Sequence, residues 1–121
     1  REAGIMKHVI HADNSEFFRK LMRTFLSERG LESESFANGE DVLDAAAAGR
    51  VSFVVTGLEL TDMSGEILIE KLAALPRKVP VIVVTSNEEA VQTKRLEVLP
   101  GVKATILKSG DWKEELGHFL D

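Results

Sequence analysis

The 121-residue sequence has no cysteine, no long run of apolar residues and fewer basic than acidic side chains. Without cysteine, the chain cannot form disulfides, thiolate zinc sites or cysteine nucleophiles. Without an apolar run of membrane-spanning length, it offers neither a transmembrane helix nor the hydrophobic part of a signal peptide, so we expect a cytoplasmic protein without membrane contacts. The net charge of -5 argues against direct binding to nucleic acid, which depends on clustered lysine and arginine.

Length and composition indicate one globular domain. The sequence is 44% hydrophobic and 29% charged, which is ordinary for such a domain. A chain of this length buries roughly two-thirds of its unfolded surface on folding, which is enough for one core. We predict a single domain over residues 1–121, in which residues 1–6, which lack any periodicity, are a linker or residues foreign to the domain.

Apolar, strand-like runs alternate with segments of helical spacing. Four of the runs end in a small polar or charged cluster, and they cover residues 8–12, 53–56, 81–84 and 104–107. A shorter fifth run covers residues 31–36. This alternation is typical of repeated βα units, and the apolar central strands predict an α/β fold with a five-stranded, parallel, doubly wound sheet.

Five helices are predicted between and after these strands. They cover residues 15–29, 40–48, 66–75 and 88–99, and a final segment begins near residue 111. The first helix carries an apolar stripe that we expect to face the sheet. Its members are Phe17, Phe18, Leu21, Met22, Phe25 and Leu26.

The segment from Thr56 to Gly65 reads Thr-Gly-Leu-Glu-Leu-Thr-Asp-Met-Ser-Gly. Together with Thr85-Ser86 and Lys108, it resembles the receiver domain of two-component response regulators, and the likeness covers essentially the whole chain. The resemblance implies a flavodoxin-like, CheY-like sheet with strand order 2-1-3-4-5. It also implies a role in phosphorelay signal transduction, where an aspartate at the end of the third strand accepts a phosphoryl group from a histidine kinase.

Gly57 occupies the position of that aspartate. Because glycine supplies no nucleophilic oxygen, the chain resembles an atypical receiver, or pseudo-receiver, without the phosphoacceptor. The family also holds a divalent ion beside the acceptor. Asp13, Asn14 and Glu59 remain here as ligands of a weak or absent magnesium site, and we expect no other cofactor.

Thr85, Ser86 and Lys108 are interpreted as remnants of the family's phosphate pocket. They follow strand ends, and the carboxyl ends of parallel strands face one crevice. Without a phosphate to neutralise, Lys108 is expected to form an ion pair with Asp13 or Glu59, because an unpaired buried charge is costly.

The fourth helix, fifth strand and fifth helix form a common partner surface in the family. The corresponding residues here are predicted to contact a partner, with an exposed Trp112 as the anchor. They are Lys94, Arg95, Val98, Thr105 and Trp112. Thr105 replaces the family's switch aromatic, which normally moves together with the threonine found here at Thr85. The expected partners are an output domain or second receiver in the same polypeptide, a second copy of the chain and a histidine kinase.

We therefore expect a degenerate receiver domain, not an enzyme, that acts through protein–protein contact. One alternative is a receiver that binds magnesium and is phosphorylated at a non-standard acceptor such as Asp13, Glu59 or Thr56. Another alternative is a flavodoxin-like domain that binds a small ligand such as a nucleotide or flavin. That alternative requires a phosphate-binding glycine loop after the first strand, whereas residues 13–16 contain no glycine.

Overall fold

A computed structural model of the chain describes residues 7–120. Five parallel strands form one sheet: β1 (His8–Ala12), β2 (Glu32–Phe36), β3 (Phe53–Thr56), β4 (Val81–Thr85) and β5 (Val102–Leu107). The helices are α1 (Glu16–Glu28), α2 (Gly39–Ala48), α3 (Gly65–Ala73), α4 (Glu88–Thr93) and α5 (Trp112–Leu120). The spatial strand order is β2-β1-β3-β4-β5, which confirms the predicted fold class. The predicted linker at residues 1–6 lies outside the described residues.

Two apolar cores lie on opposite faces of the sheet, because successive side chains of a strand point to opposite sides. On β1, Ile10 packs with α2 and α3, whereas Val9 packs with α1 and α5. On β3, Val54 and Val55 divide in the same way between the two cores. The central strands therefore have apolar side chains at nearly every position. None of the helices between residues 7 and 120 is long and apolar enough to cross a membrane.

Four helices begin with a side-chain cap, and all four begin near the carboxyl edge of the sheet. Ser15, Asn38, Ser64 and Asn87 each accept a hydrogen bond from a backbone N–H three residues later, at distances of 2.8 to 3.1 Å. Such caps contribute about 1 kcal/mol each. They fix where the loops between strands and helices end, and these loops surround the cleft described below.

Two predictions about the helices were wrong in detail. The fourth helix ends at Thr93 instead of near residue 99, because Lys94 is left-handed (φ 55°, ψ 25°) and a 3-10 turn, Arg95–Val98, follows. The Thr93 hydroxyl donates to the Glu89 carbonyl and accepts the N–H of Arg95, which replaces helical bonding at this end. In α1, Phe17 is 74% exposed and does not join the buried stripe. Adjacent helical residues differ by about 100° in direction, so Phe18 faces the core while Phe17 faces water.

Candidate functional site

The carboxyl ends of four strands meet in a cleft of about 340 Å³. Asp13 follows β1, Gly57 follows β3, Thr85 ends β4 and Lys108 follows β5. Six further residues line the cleft: Asn14, Leu58, Glu59, Val84, Ser86 and Asn87. The structure thus brings together all the residues predicted for the metal site and the phosphate pocket.

The Asp13 carboxylate is bonded on both oxygens. Its Oδ1 accepts the N–H of Ser15 at 2.9 Å, and its Oδ2 pairs with the Lys108 Nζ at 2.8 Å. The Asp13 side chain is only 3% exposed and that of Lys108 is 21% exposed, so the ion pair is largely shielded from water. Of the two partners predicted for Lys108, Asp13 is the one in contact, while Glu59 is exposed at the rim of the cleft.

The Asp13 carboxylate fills the space that a side chain at residue 57 would need. A Cβ atom built on Gly57 would lie 2.9 Å from Asp13 Oδ2, which is closer than real Cβ contacts allow. The Gly57 backbone is fixed as well, since its N–H donates to the Ala12 carbonyl at 2.8 Å. A side chain at this position would require the Asp13 carboxylate to shift.

The hydroxyl groups of Thr85 and Thr56, near the cleft, form local hydrogen bonds. Thr85 Oγ1 accepts the N–H of Asn87 at 3.1 Å, and the Thr85 carbonyl accepts the N–H of Lys108 at 2.8 Å. Thr56 is buried, and its hydroxyl donates to the Gly57 carbonyl at 2.8 Å. Ser86 is exposed at the rim. These bonds hold the ends of β3, β4 and β5 in place around the cleft.

The loop between β3 and α3 is tied to α2 by Asp62. The Asp62 carboxylate accepts the N–H of Gly39 at 2.7 Å and that of Glu40 at 3.0 Å. The hydrogen bond from Gly39 is the main reason why the pKa of Asp62 lies below its usual value. This role of Asp62 was not predicted from the sequence. Gly39 and Asp62 are 23 residues apart in sequence. The residues around Asp62 therefore do not indicate that its side chain binds the first amides of α2.

His11 lies on β1 next to Phe18, at a ring-centroid distance of 5.8 Å, and is only 1% exposed. Within residues 7–120, neither ring nitrogen has a hydrogen-bond partner. The pKa of His11 is lowered to about 3, mainly by burial and to a smaller extent by the positive charges of Lys108, Arg19 and Arg23. The imidazole is therefore neutral near pH 7. No role was predicted for this histidine from the sequence.

The predicted partner surface needs correction at two positions. Trp112 is only 7% exposed, so the prediction that it is an exposed anchor was wrong. It begins α5, and its ring is turned inward between Phe18 and Phe25. Thr105 is buried too, and its N–H donates to Glu97 Oε2 at 3.2 Å.

The other three predicted surface residues are exposed. Val98 is 85% exposed, Lys94 is exposed, and Arg95 is exposed but forms ion pairs with Glu89 and Glu66. An accessible surface therefore exists around the 3-10 turn, without an aromatic anchor. Whether it contacts a partner stays a prediction.

We expect Thr105→Val to raise the free energy of unfolding by about 1 kcal/mol, because the Thr105 hydroxyl is buried without a hydrogen-bond partner among the described residues. Urea denaturation of the variant measures this. The matched control is Thr85→Val, which removes the acceptor of the Asn87 N–H and should lower stability. Equal losses of stability in Thr105→Val and Thr85→Val would contradict the conclusion that the Thr105 hydroxyl is buried without a partner.

The oxygen donors at the cleft fit a magnesium ion poorly in this arrangement. Magnesium requires near-octahedral oxygen coordination, usually with one or two free carboxylates. Asp13 is held by Lys108 and Ser15, and Asn14 and Glu59 are exposed at the rim. In the part of the chain from residue 7 to 120, no group of three or more histidine or acidic side chains is arranged to hold a metal. The weakened magnesium site stays a prediction.

Comparisons with known proteins agree with this fold. The model of the response regulator receiver domain family matches residues 9–116. The "Uncharacterized transcriptional regulatory protein YkoG" of Bacillus subtilis (strain 168) is 25% identical over 129 aligned residues. That alignment covers 93% of this chain and 57% of the relative, so the chain spans little more than half of that protein's length.

Solved structures show the same architecture. A CheY-like receiver domain protein from Methanospirillum hungatei JF-1 has a TM-score of 0.83 at 21% identity, covering 95% of this chain and 91% of that chain. The receiver domain of the sensor histidine kinase PA1611 from Pseudomonas aeruginosa PAO1, which has a magnesium ion coordinated in its active-site cleft, has a TM-score of 0.82 at 20% identity, covering 96% and 95%. With the family match, the strand order and the cleft, the chain belongs to the response regulator receiver domain family of two-component signalling.

Proposed function

We propose that this chain is a degenerate receiver domain that acts through protein contact, without phosphorylation at the position of Gly57. The observation that carries the proposal is the occupancy of the cleft. Gly57 brings no side chain to it, and the carboxylate of Asp13 lies in the space that such a side chain would need, paired with Lys108.

The chemistry of phosphoryl transfer supports the proposal. Transfer requires a nucleophilic oxygen in line with the phosphorus of the donor, and Gly57 supplies none. The oxygens of Asp13 are both bonded and nearly inaccessible, which disfavours attack from this residue. The Thr56 hydroxyl is buried and donates to the next carbonyl, and Glu59 projects from the rim into water. The alternative acceptors therefore have poor geometry.

The relatives suggest how such a domain transmits information. Receiver domains of this family interact with histidine kinases and output domains. The Bacillus relative is named as a transcriptional regulatory protein, and this chain matches just over half of it. We propose that the domain is not an enzyme and regulates an output domain or second receiver in the same polypeptide through contact.

The proposal is tested by incubation with acetyl phosphate and Mg²⁺, followed by intact-mass measurement. We expect no phosphoryl adduct, while a receiver that carries an acceptor aspartate is labelled under the same conditions. A stable adduct on this chain would refute the proposal. Asp13→Ala, Glu59→Ala and Thr56→Ala would then identify which oxygen accepts the phosphoryl group.

The matched variant is Gly57→Asp. It restores an oxygen nucleophile at the end of β3, and the new side chain has to displace the Asp13 carboxylate. We expect this variant to gain a phosphoryl adduct that the parent chain lacks. Labelling of the parent and the variant to the same extent would place the acceptor elsewhere and contradict the role given to Gly57.

A further inference from the structure

A continuous row of stacked groups runs from the cleft along α1. The Lys108 Nζ lies 4.3 Å from the centroid of the Phe18 ring, which lies 5.0 Å from Trp112. Trp112 lies 5.3 Å from Phe25, and the guanidinium carbon of Arg29 lies 5.4 Å from the Phe25 ring. We call these five side chains the ring ladder. It joins the cleft to the far end of α1.

The sequence spacing explains the ladder. Phe18 and Phe25 are two helical turns apart on α1, so they lie on one face, and Arg29 follows one turn later. Trp112, the first residue of α5, fits between the two phenylalanines at interplanar angles of 57° and 65°. Tilted and edge-to-face pairs of this kind have a preferred geometry, so movement of one ring disturbs the next. All three rings are buried.

At its far end, the ladder is fixed to α5. Arg29 Nη2 lies 3.5 Å from the Gly117 carbonyl, to which it donates. A Cβ built on Gly117 would lie 3.3 Å from the guanidinium group, a tight contact that glycine avoids. Arg29 therefore contacts α5, and Trp112 is the first residue of that helix. At the other end of the ladder, Lys108 lines the cleft.

We propose that Lys108 couples the state of the cleft to the position of α5 through the ring ladder. Its ammonium group is shared between Asp13 Oδ2 at 2.8 Å and the face of Phe18 at 4.3 Å. A change that weakens the attraction of Asp13 for Lys108, such as removal of its charge by substitution, alters the balance between these two attractions and moves Lys108. Because protein cores are close-packed, this movement repacks Phe18 and Trp112.

The proposal rests on the proposed function, because a domain that signals without phosphorylation needs its own link between cleft and surface. The family's link pairs a threonine with an aromatic residue. Here Thr85 is bonded to the Asn87 N–H, and Thr105 replaces the aromatic. The ring ladder lies on the other face of the sheet, in the core that α1 and α5 cover.

The experiment uses Asp13→Asn to perturb the cleft. Asparagine keeps an oxygen for the Ser15 N–H but removes the charge that attracts Lys108. Trp112 is the single tryptophan and the chain has no tyrosine, so intrinsic fluorescence reports on the centre of the ladder. Acrylamide quenching of Trp112 and hydrogen exchange of the α5 amides are measured in the parent, in Phe18→Leu and in Phe17→Leu backgrounds. Phe17→Leu is the matched control, because Phe17 is the adjacent, exposed phenylalanine outside the ladder.

In the parent and in Phe17→Leu, we expect Asp13→Asn to increase Trp112 quenching and to accelerate α5 exchange about 2- to 5-fold, in line with typical coupling energies. In Phe18→Leu, the same substitution should have no further effect on either quantity. An unchanged Trp112 and α5 in Asp13→Asn, or an equal response in Phe18→Leu, would overturn the proposal. If Asp13→Asn fails to fold, as judged by circular dichroism, Lys108→Met serves as the perturbing variant. No phosphodonor is used, so the result is independent of the acetyl phosphate test.

Discussion

Replacing Lys108 by methionine is expected to lower the free energy of unfolding by about 3 kcal/mol, because it leaves the buried Asp13 carboxylate without its counter-charge. Methionine keeps most of the apolar stem of the lysine and removes the ammonium group, so the loss reports mainly on the charge. Urea denaturation at pH 7 measures the effect. Lys103→Met, which removes an exposed lysine of β5, is the matched control and should change stability by less than about 0.5 kcal/mol.

The double variant Asp13→Asn, Lys108→Met separates the charge from the packing. It contains no unpaired buried charge, so it should recover most of the stability that Lys108→Met loses. The coupling energy of the ion pair is the change in stability of the double variant minus the changes of the two single variants, Asp13→Asn and Lys108→Met. A loss of less than about 1 kcal/mol in Lys108→Met would contradict the shielded ion pair, since exposed pairs contribute no more than this.

Stability should fall as the pH decreases below 6.5, and His11 is expected to be the cause. The pKa of His11 is lowered from 6.5 in the unfolded chain to about 3 in the folded one, so only the unfolded state takes up a proton between these values. Proton uptake by the unfolded state favours unfolding. The stability that the protein has while His11 is neutral in both states is therefore lost as the pH falls. Between pH 7 and pH 5 the expected loss is about 2 kcal/mol.

His11→Val should remove this slope while keeping the β1 strand and its apolar surroundings. Denaturation midpoints at pH 7, 6 and 5 for the parent and the variant measure the difference. His118→Gln, at an exposed position on α5, is the control and should keep the parental slope. Asp62 does not affect the pH dependence of stability between pH 7 and pH 5, because its pKa lies below 3.8 and its contribution to stability is lost only at lower pH. Parallel profiles of the parent and His11→Val would contradict the assignment to His11.

The strands and the convergence of the cleft residues were predictable from the sequence, because apolar runs mark the strands and their ends meet at one edge. The strand order was implied only by the resemblance to receiver domains. The features that were not predicted depend on which face of a helix packs inward and on contacts between residues that are far apart in sequence. Phe17 and Phe18 are adjacent and equally apolar, and only the docking of α1 decides which one is buried. Trp112 begins a helix, where a sequence pattern does not yet define the inward face. Asp62 acts on a helix start that is distant in sequence.

The break in α4 was missed for a similar reason. The segment has helical spacing up to Leu99, and Lys94 is an ordinary helix former. The interruption depends on the hydrogen bonds of the Thr93 hydroxyl to Glu89 and Arg95 and on the ion pairs of Arg95 with Glu89 and Glu66. These contacts join the end of α4 to α3. Helix propensity reflects only the residues of the segment itself, so it does not predict them.

The hydrogen bond between the Glu97 carboxylate and the Thr105 amide has a consequence for assembly. β5 pairs with β4 alone, so it is an outer strand of the sheet, and outer strands offer unpaired amides on which a foreign strand can extend the sheet. The carboxylate of Glu97 covers one such amide near the middle of β5 and adds a negative charge beside it. Addition of a foreign strand along this border would have to displace that carboxylate, so the middle of β5 is a poorer template for strand-to-strand growth than an uncovered edge.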